Sequence, residues 1–228
     1  MSAEPDWRSA FPIRPATQAV EALLDSWRFL ASTPRAHFHP QMKEPALTKA
    51  LKAYVENVTA RERGLLGMWA AESVHHDIDP ETAQLTQERR TDIIYGWNDA
   101  ARAMELIFEF KKLGRQKRHR DHYLRAKGLG RFVSSAYGRH QPVAAMVGIL
   151  IDPEHEVVPP LQQALGEAEL SGLLRLQPTS SGSPFEQPSA LFEAAHFDTE
   201  HERDVALSPG PIRVAHFFLP FGYTAGTS

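Results

Sequence analysis

Two short segments constrain the fold more than any other part of the sequence. Residues 89–97 (RRTDIIYGW) and 105–113 (ELIFEFKKL) are rich in the β-branched and aromatic side chains that favour strands, and seven residues separate them. Because strands with a short connection pair antiparallel, the two segments predict neighbouring strands. A third segment, VAAMVGILI at 143–151, is apolar throughout and predicts a strand that is buried on both faces.

Helical periodicity surrounds these strands. Apolar residues spaced at threes and fours predict a helix at 17–32 and a second helix that begins near Glu44. The stretch LLGMWAAESV at 65–74 favours a strand, with a helix as the open alternative, and DIDPET at 77–82 predicts a turn. A basic helix is predicted over roughly 117–138. The predicted order is therefore helix, three strands, helix and strand, which is an α/β core.

The C-terminal part of the chain predicts further elements of the same layered structure. These are a Pro-initiated helix at 159–170, a short strand at 172–177 and a late strand at 211–222 that closes or extends the sheet. The division that follows is an N-terminal helical extension at 1–40, a core at 41–151 and a C-terminal extension at 152–228 packed on the same domain.

Composition limits the available chemistry. The chain has no cysteine, which excludes disulfides, thiolate metal sites and a Cys nucleophile, and a reducing cytoplasm is the natural setting. Its first residues lack the basic and apolar pattern of an export signal, and the apolar run at 143–151 is too short to span a bilayer. We therefore expect a soluble cytoplasmic protein whose chemistry comes from oxygen and nitrogen groups.

Charge is distributed unevenly along the chain. The net charge of −3 argues against a protein that coats nucleic acid with its whole surface, but nine of the 25 basic residues fall between Lys111 and Arg131, opposed by Asp121 alone. Solvated helix faces normally mix both signs, so phosphate contact is favoured over that alternative. The residues expected to contact nucleic acid are Arg115, Lys117, Arg118 and Arg120, with Tyr123 and Arg131 as further candidates.

The apolar segment at 105–113 carries charge in its centre. Alternate side chains of a strand share a face, so Glu109 and Lys111 lie together, on the face opposite their aromatic neighbours. Asp92 precedes an apolar run in the adjacent predicted strand, where its carboxylate can face that of Glu109. Two carboxylates beside one Lys suit magnesium or manganese with open positions for water and phosphate. The alternative is an exposed strand face whose ion pair has no function.

Asp92, followed by Glu109-Phe110-Lys111, resembles the PD-(D/E)XK nuclease superfamily, in which an Asp and a Glu-x-Lys lie on adjacent strands of one meander. The resemblance covers about residues 44–151 and includes the order of the elements. It implies a restriction endonuclease-like core, with a mixed sheet flanked by helices. Thr91 stands where the family name has Pro, at a position that varies within the superfamily.

The resemblance also implies roles for particular residues. The implied catalytic set is Asp92, Glu109, Lys111 and, on the first core helix, Glu44, with Glu62 and Glu72 as rivals for that last position. The implied ligands of Mg²⁺ or Mn²⁺ are Asp92, Glu109 and the backbone carbonyl of Phe110. We therefore expect hydrolysis of phosphodiester bonds, in DNA more than RNA, in restriction, antiphage defence, mobile-element processing or DNA repair. A homodimer or an accessory subunit is the expected assembly.

Two other classes of protein stay open. One is a catalytically inactive nuclease fold that binds nucleic acid or assembles a defence or repair complex, and the other is a protein whose basic helix docks an acidic partner. Weaker signals include His196, Asp198 and His201, whose spacing suits a transition metal. The sequence has no Gly-x-Ser-x-Gly elbow, P-loop or dinucleotide fingerprint, which argues against a serine hydrolase and against nucleotide use.

Overall fold

One seven-stranded sheet organises the part of the chain that the structure, a computed structural model, describes. That part comprises residues 11–78, 85–98, 103–138, 141–204 and 210–223. In chain order the strands are β1 Met68–Ile78, β2 Leu85–Asn98, β3 Ala103–Leu113, β4 Val143–Leu150, β5 Leu176–Gln177, β6 Phe197–His201 and β7 Ile212–Leu219. They lie in the order β1-β2-β3-β4-β7-β6-β5, and antiparallel strands on both sides flank the parallel strands β3, β4 and β7.

Helices cover both faces of the sheet. They are α1 Ile13–Leu30, α2 Glu44–Tyr54, α3 Ala60–Glu62, α4 Lys117–Leu124, α5 Gly130–Val133, α6 Glu154–Leu165 and α7 Ala168–Leu173, with a π-helical turn, Val55–Thr59, between α2 and α3. Side chains of α1 and α2 pack against one face, and side chains of α4 to α7 pack against the other. The predicted α/β class is confirmed as a mixed open sheet flanked by helices.

The central strands follow the sequence prediction closely. Every residue of β4 is buried, because parallel neighbours lie on both sides of it and helices cover both of its faces. Strands β2 and β3 pair antiparallel as predicted, and the order α2, three strands, α4 and β4 matches the predicted order of elements. The segment with two possible structures, 65–74, becomes a strand from Met68 onward. Residues 77 and 78 of the turn predicted at 77–82 belong to β1, and residues 79–82 lie outside the described residues.

The basic helix predicted over 117–138 is wrong in its length. Helix α4 ends at Leu124, and the chain turns back so tightly that the Leu129 N–H donates to the Tyr123 carbonyl at 2.8 Å. A Cβ on Gly128 would lie 2.1 Å from that same carbonyl oxygen. Only glycine fits this close backbone approach, and the short helix α5 then starts a separate turn.

The C-terminal predictions need three corrections. Helix α6 begins at Glu154, five residues before its predicted start at Pro159, and it holds two prolines inside it. The strand predicted at 172–177 is reduced to Leu176–Gln177, because the preceding residues complete α7. Strand β6 was not predicted, although the predicted late strand β7 is confirmed beside β4.

Four buried polar side chains link the C-terminal strands to α4. The Tyr123 hydroxyl lies 2.9 Å from Nδ1 of His216, whose Nε2 lies 2.8 Å from the Thr199 hydroxyl. That hydroxyl lies 2.7 Å from Nε2 of His201, and Nδ1 of His201 lies 2.7 Å from the Leu174 carbonyl. Burial lowers the pKa of His201 to about 4 and that of His216 well below its ordinary value, so both rings are neutral. One orientation of donors satisfies the whole chain, from the tyrosine to the carbonyl.

These contacts also correct the weak transition-metal prediction. His201 belongs to the buried chain, while Asp198 accepts hydrogen bonds from the Ser189 hydroxyl and from two backbone N–H groups. His196 instead lies 3.2 Å from Glu154.

Among the described residues, no helix has both the length and the apolar character needed to cross a bilayer.

We expect the tight turn at Gly128 to be sensitive to a single added methyl group. Gly128→Ala should lower the free energy of unfolding by about 2 kcal/mol, because the new Cβ meets rigid backbone rather than a flexible side chain. Gly172→Ala is the matched control, since a Cβ there meets nothing within 4 Å and alanine favours α7. Chemical denaturation of both variants measures the difference, and equal stabilities would contradict the proposed cause.

Candidate functional site

The candidate site lies where β2 and β3 separate. The β2–β3 ladder ends at the pair Ile93–Phe108. Beyond that pair, β2 continues beside β1, whereas β3 continues beside β4 as far as Leu113. The edge of β3 that faces β2 therefore needs other partners for its backbone groups, since buried N–H and C=O groups are costly when unpaired.

Two carboxylates supply those partners. Asp92 Oδ2 accepts a hydrogen bond from the Phe110 N–H at 2.8 Å, and Glu44 Oε2 accepts one from the Lys112 N–H at 2.7 Å. Residues 110 and 112 alternate along the strand, so their N–H groups point to the same edge. Glu44 reaches β3 because it is the first residue of α2, whose amino end is directed at this edge. Each acid thus takes the place of a missing strand partner.

The ammonium of Lys111 lies among three carboxylates. Its Nζ is 2.8 Å from Glu109 Oε1, 3.0 Å from Glu44 Oε1 and 3.8 Å from Asp92 Oδ2. It also donates a hydrogen bond of 2.5 Å to the Phe110 carbonyl. The structure therefore brings together all five residues that the sequence assigned to catalysis or metal binding.

Glu109 is the most deeply buried acid of the site, with an exposed fraction of 0%. Its Oε1 also accepts a hydrogen bond of 3.0 Å from Arg131, a residue of α5. The same guanidinium nitrogen contacts the Tyr137 hydroxyl, and the guanidinium carbon lies 4.9 Å from the centre of the Tyr137 ring. Oε2 of Glu109 has no hydrogen-bond partner among the described residues. Thr91 Oγ1 and Gln141 Oε1 share this feature, but Glu109 Oε2 is the carboxylate oxygen of the site that is free to accept a hydrogen bond or to bind a cation.

Burial and the neighbouring charges of opposite sign shift the pKa values of the cluster in opposite directions. Burial and the neighbouring Asp92 raise the pKa of Glu109 to about 7, against the opposing effect of Lys111 and Arg131. Burial also raises the pKa of Asp92, while Lys111 counteracts it. Burial lowers the pKa of Lys111, but the carboxylates of Glu109, Asp92 and Glu44 outweigh it and raise the pKa overall. Lys111 is therefore an ammonium at neutral pH.

The rival acids lie elsewhere. Glu72 pairs with Lys49 of α2 at 2.9 Å, and the exposed Glu62 lies in α3. Of these three candidates for the helical acid, Glu44 is the one that contacts Lys111.

The residues predicted to bind nucleic acid begin directly after β3. Arg115 is engaged with acids, because its side chain lies 3.4 Å from Asp152 and 3.1 Å from Glu156. Lys117 and Arg118 are exposed in the first turn of α4, whereas Arg120 is half-buried, and no described acid forms an ion pair with these three. Their contact with nucleic acid stays a prediction.

Sequence reasoning missed two side chains of the site. Tyr137 follows α5 and reaches Arg131 after a turn in which Ser135 has a φ of +57°, which no periodic pattern indicates. Lys112 was counted only as part of the basic cluster, but its ammonium donates to the carbonyls of Pro40 and Met42 at 2.5 and 3.1 Å. That contact fixes the loop before α2 and hence the position of Glu44. In the sequence, the adjacent Lys111 and Lys112 within an apolar strand were the signal that could have indicated this role for Lys112.

The residues present fit a hard divalent cation in their chemistry. The donor set is all oxygen, from carboxylates and one carbonyl, and it includes the partnerless Oε2 of Glu109. In their present arrangement, however, no three His, Cys, Asp or Glu side chains in the described part of the chain form a group that could hold a metal ion. The ammonium of Lys111 lies between those carboxylates instead.

Comparisons with known proteins give no relative for this chain. No family model matches it, and neither a curated protein nor a solved structure does. The geometry of the site therefore carries the functional argument.

We expect Glu109 to make stability depend on pH in an unusual direction. An acid with a raised pKa in the folded state binds its proton more tightly there than in the unfolded chain. The contribution of Glu109 to stability is therefore greatest below about pH 4.5 and is lost as the pH rises through about 7. The loss should approach about 3 kcal/mol, since one pKa unit corresponds to about 1.4 kcal/mol. Unfolding of wild type and Glu109→Gln without divalent ions, compared from pH 4 to 8, isolates this contribution. A pH-independent difference between the two proteins would contradict it.

Proposed function

We propose that this protein is a metal-dependent nuclease with a restriction endonuclease-like core, which hydrolyses phosphodiester bonds in DNA. The single observation that carries the proposal is the convergence of Asp92, Glu109 and Lys111 where two strands of the meander separate. The order of elements around that point supports it, because helix, meander, helix and parallel strand follow one another as the PD-(D/E)XK resemblance implies.

The proposed ligands of the cation are the acids of the site and one backbone carbonyl. Asp92 and Glu109, with the Phe110 carbonyl, would bind Mg²⁺ or Mn²⁺, and Glu44 would complete the set directly or through water. When bound, the ion supplies Lewis-acid chemistry at the phosphate and favours ionised water. The backbone hydrogen bonds to Asp92 and Glu44 hold both carboxylates in orientation before substrate arrives.

The positive charge of Lys111 acts on the reacting groups in the proposed site. In the reaction, a water oxygen bonds to phosphorus, the bond from phosphorus to one ester oxygen breaks, and that oxygen leaves with a proton. An ammonium beside the attacking water stabilises the negative charge that develops on the phosphate oxygens. Arg131 is well placed for a similar role, since its side chain is 35% exposed above the buried Glu109.

Substrate binding is assigned to the start of α4. Lys117 and Arg118 are exposed in the first turn of that helix, directly after the strand that carries Lys111, and Arg120 lies one turn further on. Basic side chains at this place can bind phosphates on either side of the scissile bond. Arg115 can contribute only by exchanging its pairs with Asp152 and Glu156 for phosphate.

One observation favours a second candidate. Lys111 already lies near all three carboxylates and Arg131 pairs with Glu109, as expected of a cluster that only stabilises the fold. The chain would then be an inactive nuclease fold that binds nucleic acid, or an accessory subunit, in restriction, antiphage defence or DNA repair.

Cleavage assays with matched acid variants test the proposal. Wild type is incubated with plasmid and linear DNA in Mg²⁺, in Mn²⁺ or in a chelator, and cleavage is expected only with metal. Asp92→Asn and Glu109→Gln should each lower the cleavage rate by about 100-fold or more, because each removes a ligand charge. Glu72→Gln is the control, since it neutralises an acid of β1 that pairs with Lys49 outside the cluster.

Failure of the assay has a defined meaning. If wild type cleaves neither double-stranded nor single-stranded DNA nor RNA with any divalent ion, the nuclease proposal is rejected. DNA binding that weakens steeply with salt, and weakens further in Lys117→Ala with Arg118→Ala, would then support the binding subunit. Absence of that salt dependence would favour a protein partner for the basic residues.

A further inference from the structure

The oxygen atoms around the Lys111 ammonium are those of the implied metal-ligand set. Nζ lies 2.5 Å from the Phe110 carbonyl, 2.8 Å from Glu109, 3.0 Å from Glu44 and 3.8 Å from Asp92. The side chain is only 11% exposed, so it is held inside the cluster rather than laid across its surface. No other lysine in the described part of the chain contacts more than one of these groups.

An ammonium and a divalent cation cannot share this position. Mg²⁺ binds its oxygen ligands at about 2.0–2.1 Å and needs six of them, whereas an ammonium donates three hydrogen bonds at about 2.7–3.0 Å. Three oxygens lie at hydrogen-bond distance from Nζ and Asp92 Oδ2 lies 3.8 Å away, so there is no room for a second cation among them. The ion must therefore replace the ammonium rather than join it.

Two of the carboxylates would keep their places after such a replacement. Asp92 is fixed by the Phe110 N–H through Oδ2, and Glu44 is fixed by the Lys112 N–H through Oε2. Glu44 thus binds the backbone through one oxygen and the Lys111 ammonium through the other, whereas Asp92 Oδ2 both accepts from the backbone and is the oxygen that faces Nζ. Glu109 accepts a hydrogen bond from Arg131 through Oε1, and its partnerless Oε2 is available to bind a cation. The ligand set does not depend on Lys111 for its orientation.

We propose that the Lys111 side chain is a built-in occupant of the cation position, which a divalent metal must displace before the site can act. Displacement moves the ammonium from the carboxylates to the substrate side, so metal binding and the positioning of Lys111 are one event. This inference rests on the proposed function for the identity of the cation, but its consequence is a property of metal binding alone.

The test measures Mn²⁺ binding by titration calorimetry in the absence of nucleic acid. Lys111→Met keeps an unbranched side chain and removes the competing charge, so it should bind Mn²⁺ at least about tenfold more tightly than wild type while losing cleavage activity. Lys49→Met is the control, because it removes one positive charge from α2 at a side chain that is 58% exposed. It should bind Mn²⁺ as wild type does.

A second measurement covers the case in which Lys111→Met does not fold. In wild type with ¹⁵N-labelled lysine, saturation with Mg²⁺ should move the side-chain resonance of Lys111 and leave that of Lys49 unchanged. Affinity for Mn²⁺ that is equal or weaker in Lys111→Met, or a Lys111 resonance that ignores Mg²⁺, overturns the inference. Tighter Mn²⁺ binding in Lys111→Met, with a wild type that cuts no nucleic acid, upholds the inference and rejects the nuclease.

Discussion

The separation of β2 from β3 is the constraint on which the candidate site depends. A strand edge that loses its partner inside a protein must find hydrogen bonds elsewhere, and here Asp92 and Glu44 provide them. Placing carboxylates at that edge brings negative charge into a poorly solvated region, and Lys111 and Arg131 neutralise it. The charged cluster therefore follows from a backbone requirement, whether or not catalysis also uses it.

The same arrangement of acids is compatible with both candidate functions. Carboxylates held by backbone N–H groups serve equally well as partners of an ammonium and as ligands of a metal ion. What distinguishes a metal site is spare capacity, and the partnerless oxygen of Glu109 is the clearest instance of it.

The sequence predicted the central strands and the five residues that converge at the candidate site, but not Tyr137 or the role of Lys112. Period-two alternation placed Glu109 and Lys111 on one face, and the apolar content of β4 identified it as a strand buried on both faces. The sequence did not predict the end of α4 at Leu124, because that break results from one close backbone contact at Gly128 and not from a periodic pattern. Strand β6 was hidden because its polar residues, such as Asp198 and His201, are buried with partners from distant segments. Tyr137 depends on a turn that no pattern marks.

The place of β7 in the sheet has a consequence for any shortened form of this protein. Although it comes last in the described chain, β7 lies directly against β4, with β6 beyond it. A truncation after residue 151 would strip one whole side of the most buried strand and leave its N–H and C=O groups facing solvent or another molecule. Such a fragment would retain every acid of the site and yet be prone to aggregate, so the half that carries the candidate site is not a separable module.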